Sequence, residues 1–251
     1  MFDDFFSLDG RAFLPFGTSH VVMIIIYGVG LVLLIIFSTL KKRSFYPKTY
    51  NLIRWFLFFW LVTSEVSYQA WTIATGIWSL SEHIPLHLCG IASITVALAL
   101  LLQNKLLGYL SFYIGFIPPL LALITPELPY DYSHFRYWKF FVHHIVISWA
   151  SLFVILTSSS TLTYLSVLRS FGILLIYAAF IGFFVNPVIN ANYLFLRETP
   201  LANTPLDYFG TGVLYYVNLC LVALIVFSVQ WAAIHFLKKR QEFAKPLRRI
   251  G

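Results

Sequence analysis

The chain has 251 residues, of which 59% are apolar, 19% aromatic and only 11% charged, and it carries a formal net charge of +7. That composition excludes an ordinary water-soluble domain and describes an all-α, polytopic integral membrane helix bundle. On a soluble domain such a charge would suggest nucleic acid, but in a membrane protein it reports topology, so no nucleic-acid partner is expected.

The first sixteen residues are acidic and aromatic, without the basic start or small-residue cleavage site of a secretory signal peptide, so none is expected. Seven apolar stretches follow, each near the roughly 20 residues that a helix needs to cross the hydrocarbon core. They cover 21–40, 50–72, 84–102, 106–124, 138–156, 165–185 and 211–237, within a single transmembrane domain spanning 1–251. Helices are the expected spans because each satisfies its own backbone in lipid, and no period-two strand pattern recurs. Pro118 and Pro119 should kink or interrupt the fourth stretch. A six-span version, with that stretch broken or re-entrant, stays open.

Charge orients the bundle, since cytoplasmic loops carry the excess of Lys and Arg. Lys41, Lys42, Arg43, Lys48, Arg54, Lys105, Arg169, Lys238, Lys239, Arg240, Lys245, Arg248 and Arg249 fall on one side. Arg11, Arg136, Lys139 and Arg197 fall on the other, together with most of the acids. The amino terminus should therefore face out and the carboxyl terminus in. Residues 238–251 form a basic cytoplasmic tail that orientation alone explains, with contact to anionic lipid headgroups as a further use. The expected location is a bacterial cell membrane, crossed several times.

With orientation set, the polar residues collect in the outer leaflet. The segment Ser81 to Gly90, SEHIPLHLCG, places His83, His87 and Cys89 at the start of the third stretch. Ionisable and nucleophilic groups at such a depth are costly, so they mark a functional site by default. Glu65, Tyr68, Gln69 and Thr72 share one face of the outer half of the second stretch. His20 begins the first, His143 and His144 begin the fifth, and Asn190, Asn192 and Tyr193 follow the sixth.

The chemistry this suggests is nucleophilic catalysis, in which an imidazole takes the Cys89 thiol proton and the thiolate attacks an ester or thioester carbonyl to form an acyl-enzyme. His87, two residues away, points nearly opposite to Cys89, so the base should come from another helix. His144, Ser148 and Ser151 repeat at four and three, a small polar stripe suited to a bundle interior. His144 is therefore favoured over His143, whose register with Ile147 faces lipid or packing. With Pro85 as first helical residue, Cys89 would sit about one turn in, where the helix dipole helps little. Glu65 or His87 would orient the base or bind the headgroup, with Gln69, His20, Asn190, Asn192 and Tyr193 as supporting or substrate-binding candidates. Cys220, between Leu219 and Leu221, reads as a packing residue.

The segments Ile84-Pro85-Leu86-His87-Leu88-Cys89-Gly90, Phe140-Phe141-Val142-His143-His144 and Asn190-Ala191-Asn192-Tyr193-Leu194, leading to Pro200, Leu206-Asp207 and Gly210, resemble the YwaF family of bacterial integral membrane proteins, related to the eukaryotic transmembrane protein 164 family. The likeness spans most of the chain. The eukaryotic relatives are regarded as cysteine-dependent acyltransferases that move fatty acyl chains between phospholipids. The resemblance implies that role for Cys89 and His144, membrane phospholipids as substrate, and no cofactor.

Two other classes stay open. A secondary transporter or proton-coupled channel would use Glu65 and the outer histidines, although no inverted repeat is visible. A metal or haem protein would use His83, His87, Cys89 and His144, but their spacing is no recognisable ligand signature, and no metal is expected.

Overall fold

The computed structural model describes residues 5–40, 47–158, 162–200 and 204–243. Asp3, Asp4, Lys41, Lys42, Arg43, Lys245, Arg248 and Arg249, and with them most of the basic tail, lie outside those residues. Regular structure among the described residues is helical, apart from one isolated antiparallel bridge between Ala12 and Tyr130. The helices are α1 (Thr18–Leu40), α2 (Pro47–Ala74), α3 (Leu88–Leu102), α4 (Lys105–Gly115), α5 (Ile117–Ile124), α6 (Phe135–Thr157), α7 (Tyr164–Phe180), α8 (Asn186–Ile189) and α9 (Val213–Phe243).

Among the described residues, five stretches are long and apolar enough to cross a membrane: Thr18–Ser38, Lys105–Ile124, Phe135–Thr157, Tyr164–Ile189 and Val213–Lys239. The chain is a multi-pass membrane protein. Of the other two expected spans, α2 is 28 residues long but carries Lys48, Arg54 and Glu65, and α3 has only 15 residues.

The boundaries differ from the sequence expectation where the backbone meets a local constraint. The third helix begins at Leu88, so Pro85 precedes it. A tight turn, Leu86 N to Ile84 O at 2.7 Å, folds the Pro85 backbone onto the new helix. A Cβ on Gly90 would lie 2.5 Å from the Pro85 oxygen, so only glycine admits this approach. The sixth apolar stretch, which begins as α7, continues beyond Val185, because a π turn over Ile181–Val185 precedes Pro187 and the Asn186 N–H reaches back to Ile181 O. Such a turn accommodates a residue that cannot donate.

The expected break in the fourth stretch falls between α4 and α5, just before Pro118 and Pro119. Polar side chains from neighbouring helices meet the carbonyls there. Ser148 Oγ donates to Phe116 O (3.1 Å) and pairs with Tyr27 Oη (2.9 Å), while Gln230 Nε2 donates to Tyr113 O (3.1 Å). The small residues Gly115 and Ser151 let the kinked segment pass close, since a Cβ on Gly115 would collide with Ser151 Oγ.

At the centre stands α6, which packs against α1, α2, α3, α4 and α5. It is buried over 61% of its apolar stretch, against 11% in α1. Phe141, Ile147, Ala150 and Phe153 form its core side, completed by Phe112 of α4 and Val96 of α3. Helices α7 and α9 pair with one another, and α7 reaches α4.

Two sets of contacts hold the ends of the bundle. Residues 5–13 strap one end, where Trp71 Nε1 donates to Phe6 O (2.9 Å), His134 Nε2 to Ser7 O (2.7 Å) and Phe13 N to Pro129 O (3.2 Å). At the other end the Arg54 guanidinium donates to the carbonyls of Leu100 and Leu101, which close α3. A cation suits the negative end of that helix.

Two predictions follow from these contacts. A Cβ on Gly30 would lie 1.9 Å from the Trp149 ring, whose Nε1 donates to Tyr27 O at 3.2 Å. Gly30→Ala should therefore cost about 1–3 kcal/mol through overpacking and lower the thermal midpoint in detergent. The second concerns His134, which caps α6 by accepting from Arg136 N while its Nε2 donates to the strap. Burial holds this histidine below its usual range, so its contribution is intact above about pH 6.5 and fades as pH falls through the lowered value. Amide exchange of residues 5–13, corrected for intrinsic rate, should accelerate between about pH 7.5 and pH 5, and His134→Gln should flatten that dependence.

Candidate functional site

Cys89 is the second residue of α3. It lies in the first turn, closer to the helix start than the sequence suggested, because Pro85 remains outside the helix. His87 occupies the N-cap position without a side-chain cap, and its carbonyl accepts from Ile91 N at 3.0 Å. The first-turn N–H groups of a helix lack intrahelical partners and favour negative charge. Cys89 itself is half-buried at the edge of the main apolar core.

A cation, Lys139, stands in the second turn of α6. Cys89 and Lys139 lie within electrostatic range of one another. The Lys139 ammonium sits 3.7 Å from Glu65 Oε2 and 4.2 Å over the Tyr68 ring. A pair removed from water is costly unless further hydrogen bonds complete it. Glu65 has that support, since Gln69 Nε2 donates to its Oε1 at 2.8 Å. The same Gln69 amide donates to His83 O (2.7 Å) and accepts from Trp78 Nε1 (2.8 Å), tying the loop between α2 and α3 to α2. Gln69 thus acts as a brace, with its amide committed inside the protein.

The two adjacent histidines of α6 have different surroundings. His143 is buried at 2% exposure, with Nδ1 3.1 Å from Ser64 Oγ and Nε2 3.9 Å from Glu65 Oε2. It faces α2, not lipid, because α6 is enclosed by other helices. His144 is partly buried, and its Nδ1 lies 2.7 Å from Phe140 O. A carbonyl can only accept, so Nδ1 carries the proton and Nε2 keeps a lone pair. That Nε2 has no hydrogen-bond partner among the described residues. Ser148 and Ser151, the other members of the expected stripe, are fully buried against the α4–α5 break.

A third group holds the segment before Cys89. Tyr193 Oη donates to Leu80 O (2.7 Å) and accepts from Ile84 N (3.2 Å), while Tyr177 Oη donates to Leu86 O (2.8 Å). The His87 ring lies 5.1 Å from that of Tyr193 and 4.9 Å from that of Phe195. Tyr193 is fixed by Asn186, whose amide bonds both its N and its O at 3.0 Å. Asn186 therefore clamps the loop. Asn190, Leu194 and Phe195 all have positive φ, between 51° and 61°, a strained state for Leu and Phe that the clamp sustains. Burial keeps His83 below its usual range, opposed by the Glu82 charge, and His83 Nδ1 accepts from Ser79 N at 3.1 Å.

Three expected site residues stand elsewhere. His20 accepts from Phe16 N and pairs with Leu123 O at 2.7 Å, among Phe13, Phe16 and Phe141, so it staples α1 to α5. Asn190 accepts from Arg197, and Asn192 accepts from the Arg197 and Glu198 N–H groups, so both shape their own loop. Sequence reasoning missed Lys139, Ser64 and Asn186 as members of the constellation. The available signal for Lys139 was a lysine four residues before His143, at the start of an apolar stretch. Among the described residues no group of three or more His, Cys, Asp or Glu could hold a metal ion.

The family model of the TMEM164 family matches residues 15–231, and the chain belongs to that family. No curated protein and no solved structure matches it.

Tyr193→Phe leaves the Leu80 carbonyl and the Ile84 N–H without their partner, which should cost about 1–3 kcal/mol. A thermal melt in detergent, with limited proteolysis of the 80–87 segment, checks this: the segment should be cut faster while α6 stays protected.

Proposed function

We propose that this member of the TMEM164 family is a membrane acyltransferase that moves a fatty acyl chain to or between phospholipids through a Cys89 thioester. One observation carries the proposal: the thiol lies in the first turn of α3, where backbone N–H groups lack intrahelical partners and can stabilise a developing negative charge. His144 serves as general base, supported by the tautomer that leaves its Nε2 able to accept a proton. The bundle is read as seven spans in a bacterial cell membrane, amino terminus out and carboxyl terminus in. The Cys89 end of α3 then lies in the outer leaflet, where a lipid ester can approach.

The cycle balances with these groups alone. The Cys89 S–H proton passes to His144 Nε2, and the thiolate attacks the acyl carbonyl carbon of a phospholipid ester. The ester C–O bond breaks, the glycerol oxygen takes the proton from His144, and a lysophospholipid leaves. An acceptor hydroxyl then gives its proton to His144 and attacks the thioester, which restores the thiol. Water in the acceptor's place gives hydrolysis. Glu65 holds Lys139 and His143 in position, and Tyr193 holds the His87–Cys89 segment.

Intact mass spectrometry of the protein incubated with mixed phospholipids tests this. A hydroxylamine-sensitive acyl adduct should form on Cys89, be absent in Cys89→Ala and form at least about a hundredfold more slowly in His144→Ala. A folded, abundant Cys89→Ala protein that keeps full activity would sink the proposal. In that case the half-buried Glu65–Lys139 pair between α2 and α6 would favour proton-coupled transport instead.

A further inference from the structure

The Ser64 hydroxyl is directed away from its own helix. Ser67, Thr95, Thr157 and Ser228 return their hydroxyls to carbonyls of the helices that carry them, the usual habit of such residues. Ser64 Oγ instead meets His143 Nδ1 across the α2–α6 contact at 3.1 Å, and the other ring nitrogen, Nε2, lies 3.9 Å from Glu65 Oε2. A carboxylate can only accept, so the ring proton belongs on Nε2 and Nδ1 keeps a lone pair for the Ser64 O–H. Glu65 is itself held by Gln69 Nε2 at 2.8 Å and by the Lys139 ammonium at 3.7 Å. A hydroxyl on a base that a fixed carboxylate orients is the arrangement that activates a serine, and such contacts run long until substrate binds. We propose that Ser64, His143 and Glu65 form a second nucleophilic centre, which attacks a fatty acyl ester through the Ser64 hydroxyl. This centre goes beyond the Cys89 reading and needs no thiol.

In the acylation step the Ser64 O–H proton passes to His143 Nδ1, and Oγ forms a bond to the acyl carbonyl carbon. The ester C–O bond breaks, the leaving alcohol oxygen takes the proton from His143, and an acyl-Ser64 ester remains. Water or a second alcohol then gives its proton to Nδ1 and attacks the acyl carbon, which restores the hydroxyl. Glu65 is a positioning residue that fixes the ring and balances the imidazolium formed at each step. The neighbours set the substrate class. Leu57, Leu61 and Ser64 repeat at four and three on one buried face of α2, so the centre suits an uncharged ester with an apolar chain. The polar side of the centre is formed by Glu65 and Lys139, whose side chains keep 21% and 16% exposure. Ser64 is 6% exposed, so side chains must part before an ester reaches it and acylation should be slow.

The test uses the full chain in detergent with Cys89→Ala and Cys220→Ser, which removes both thiols. The probe is an uncharged alkyl fluorophosphonate. Attack by Ser64 Oγ forms an O–P bond and expels fluoride, while the hydroxyl proton leaves through His143 Nδ1. Peptide mass spectrometry should place the adduct on Ser64, and Ser64→Ala should remove it. His143→Gln should slow its formation at least about a hundredfold. Glu65→Gln should lower the maximal labelling rate at least about tenfold without moving the probe concentration that gives half of it, whereas a loosened fold would move both. A monodisperse protein whose Ser64 stays unlabelled overturns the proposal, as does labelling that His143→Gln leaves unchanged. The first measurement substitutes none of the three residues, so it stands even if a variant fails to fold. Cys89 is absent throughout, so a failed thioester assay leaves the outcome intact.

Discussion

A charged side chain inside an apolar bundle has to bring its own partners, and the Glu65–Lys139 pair is where this protein meets that demand. The helix that carries Lys139 is enclosed by five others, so its charge cannot reach lipid headgroups as freely as a lysine on an outer helix would. Glu65 answers it from α2, Gln69 completes the carboxylate, and the same amide reaches the loop that leads into α3. Helix α2, the loop and α6 are therefore registered by one polar network. Cys89 lies at its edge, so its surroundings are fixed by the interactions that stabilise the fold.

The broken segments follow a related rule. Prolines in the α4–α5 stretch and after the π turn of α7 remove backbone donors, and no water in the hydrocarbon core can replace them. Ser148, Tyr27 and Gln230 supply hydrogen bonds at the first break. At the second, Asn186 binds both polar groups of Tyr193, which holds a strained loop over the 80–87 segment. The polar residues that seem out of place in apolar helices thus serve two tasks. Some repair the backbone, and others hold the few groups available for chemistry.

The neighbouring histidines show the difference. Both belong to α6, yet hydrogen bonds divide their roles: His143 has both nitrogens facing α2, whereas His144 commits one nitrogen to Phe140 O and keeps the other open. A base needs a free lone pair, and an orienting group needs its neighbours. Glu65 pairs with His143 and Lys139, while His144 Nε2 has no hydrogen-bond partner among the described residues.

Composition and apolar periodicity made the membrane class, the helical architecture, the α4–α5 break and the polar end of the bundle legible, because lipid imposes helix length and backbone pairing on any chain that crosses it. Spacing also placed Glu65 and Gln69 on one face of α2, and singled out Cys89 and the two histidines as unusual for their depth. The partners of those residues were not legible. Lys139 read as one more outer basic residue, His20 and Asn190 read like members of the site, and Pro85 read as a helix start. Each was decided by a contact between segments distant in sequence: α2 against α6, the Leu123 carbonyl against His20, and the Pro85 backbone folded onto Gly90. Sequence gives the period of a helix and the cost of a polar group, whereas the side chain that meets that cost is chosen by packing.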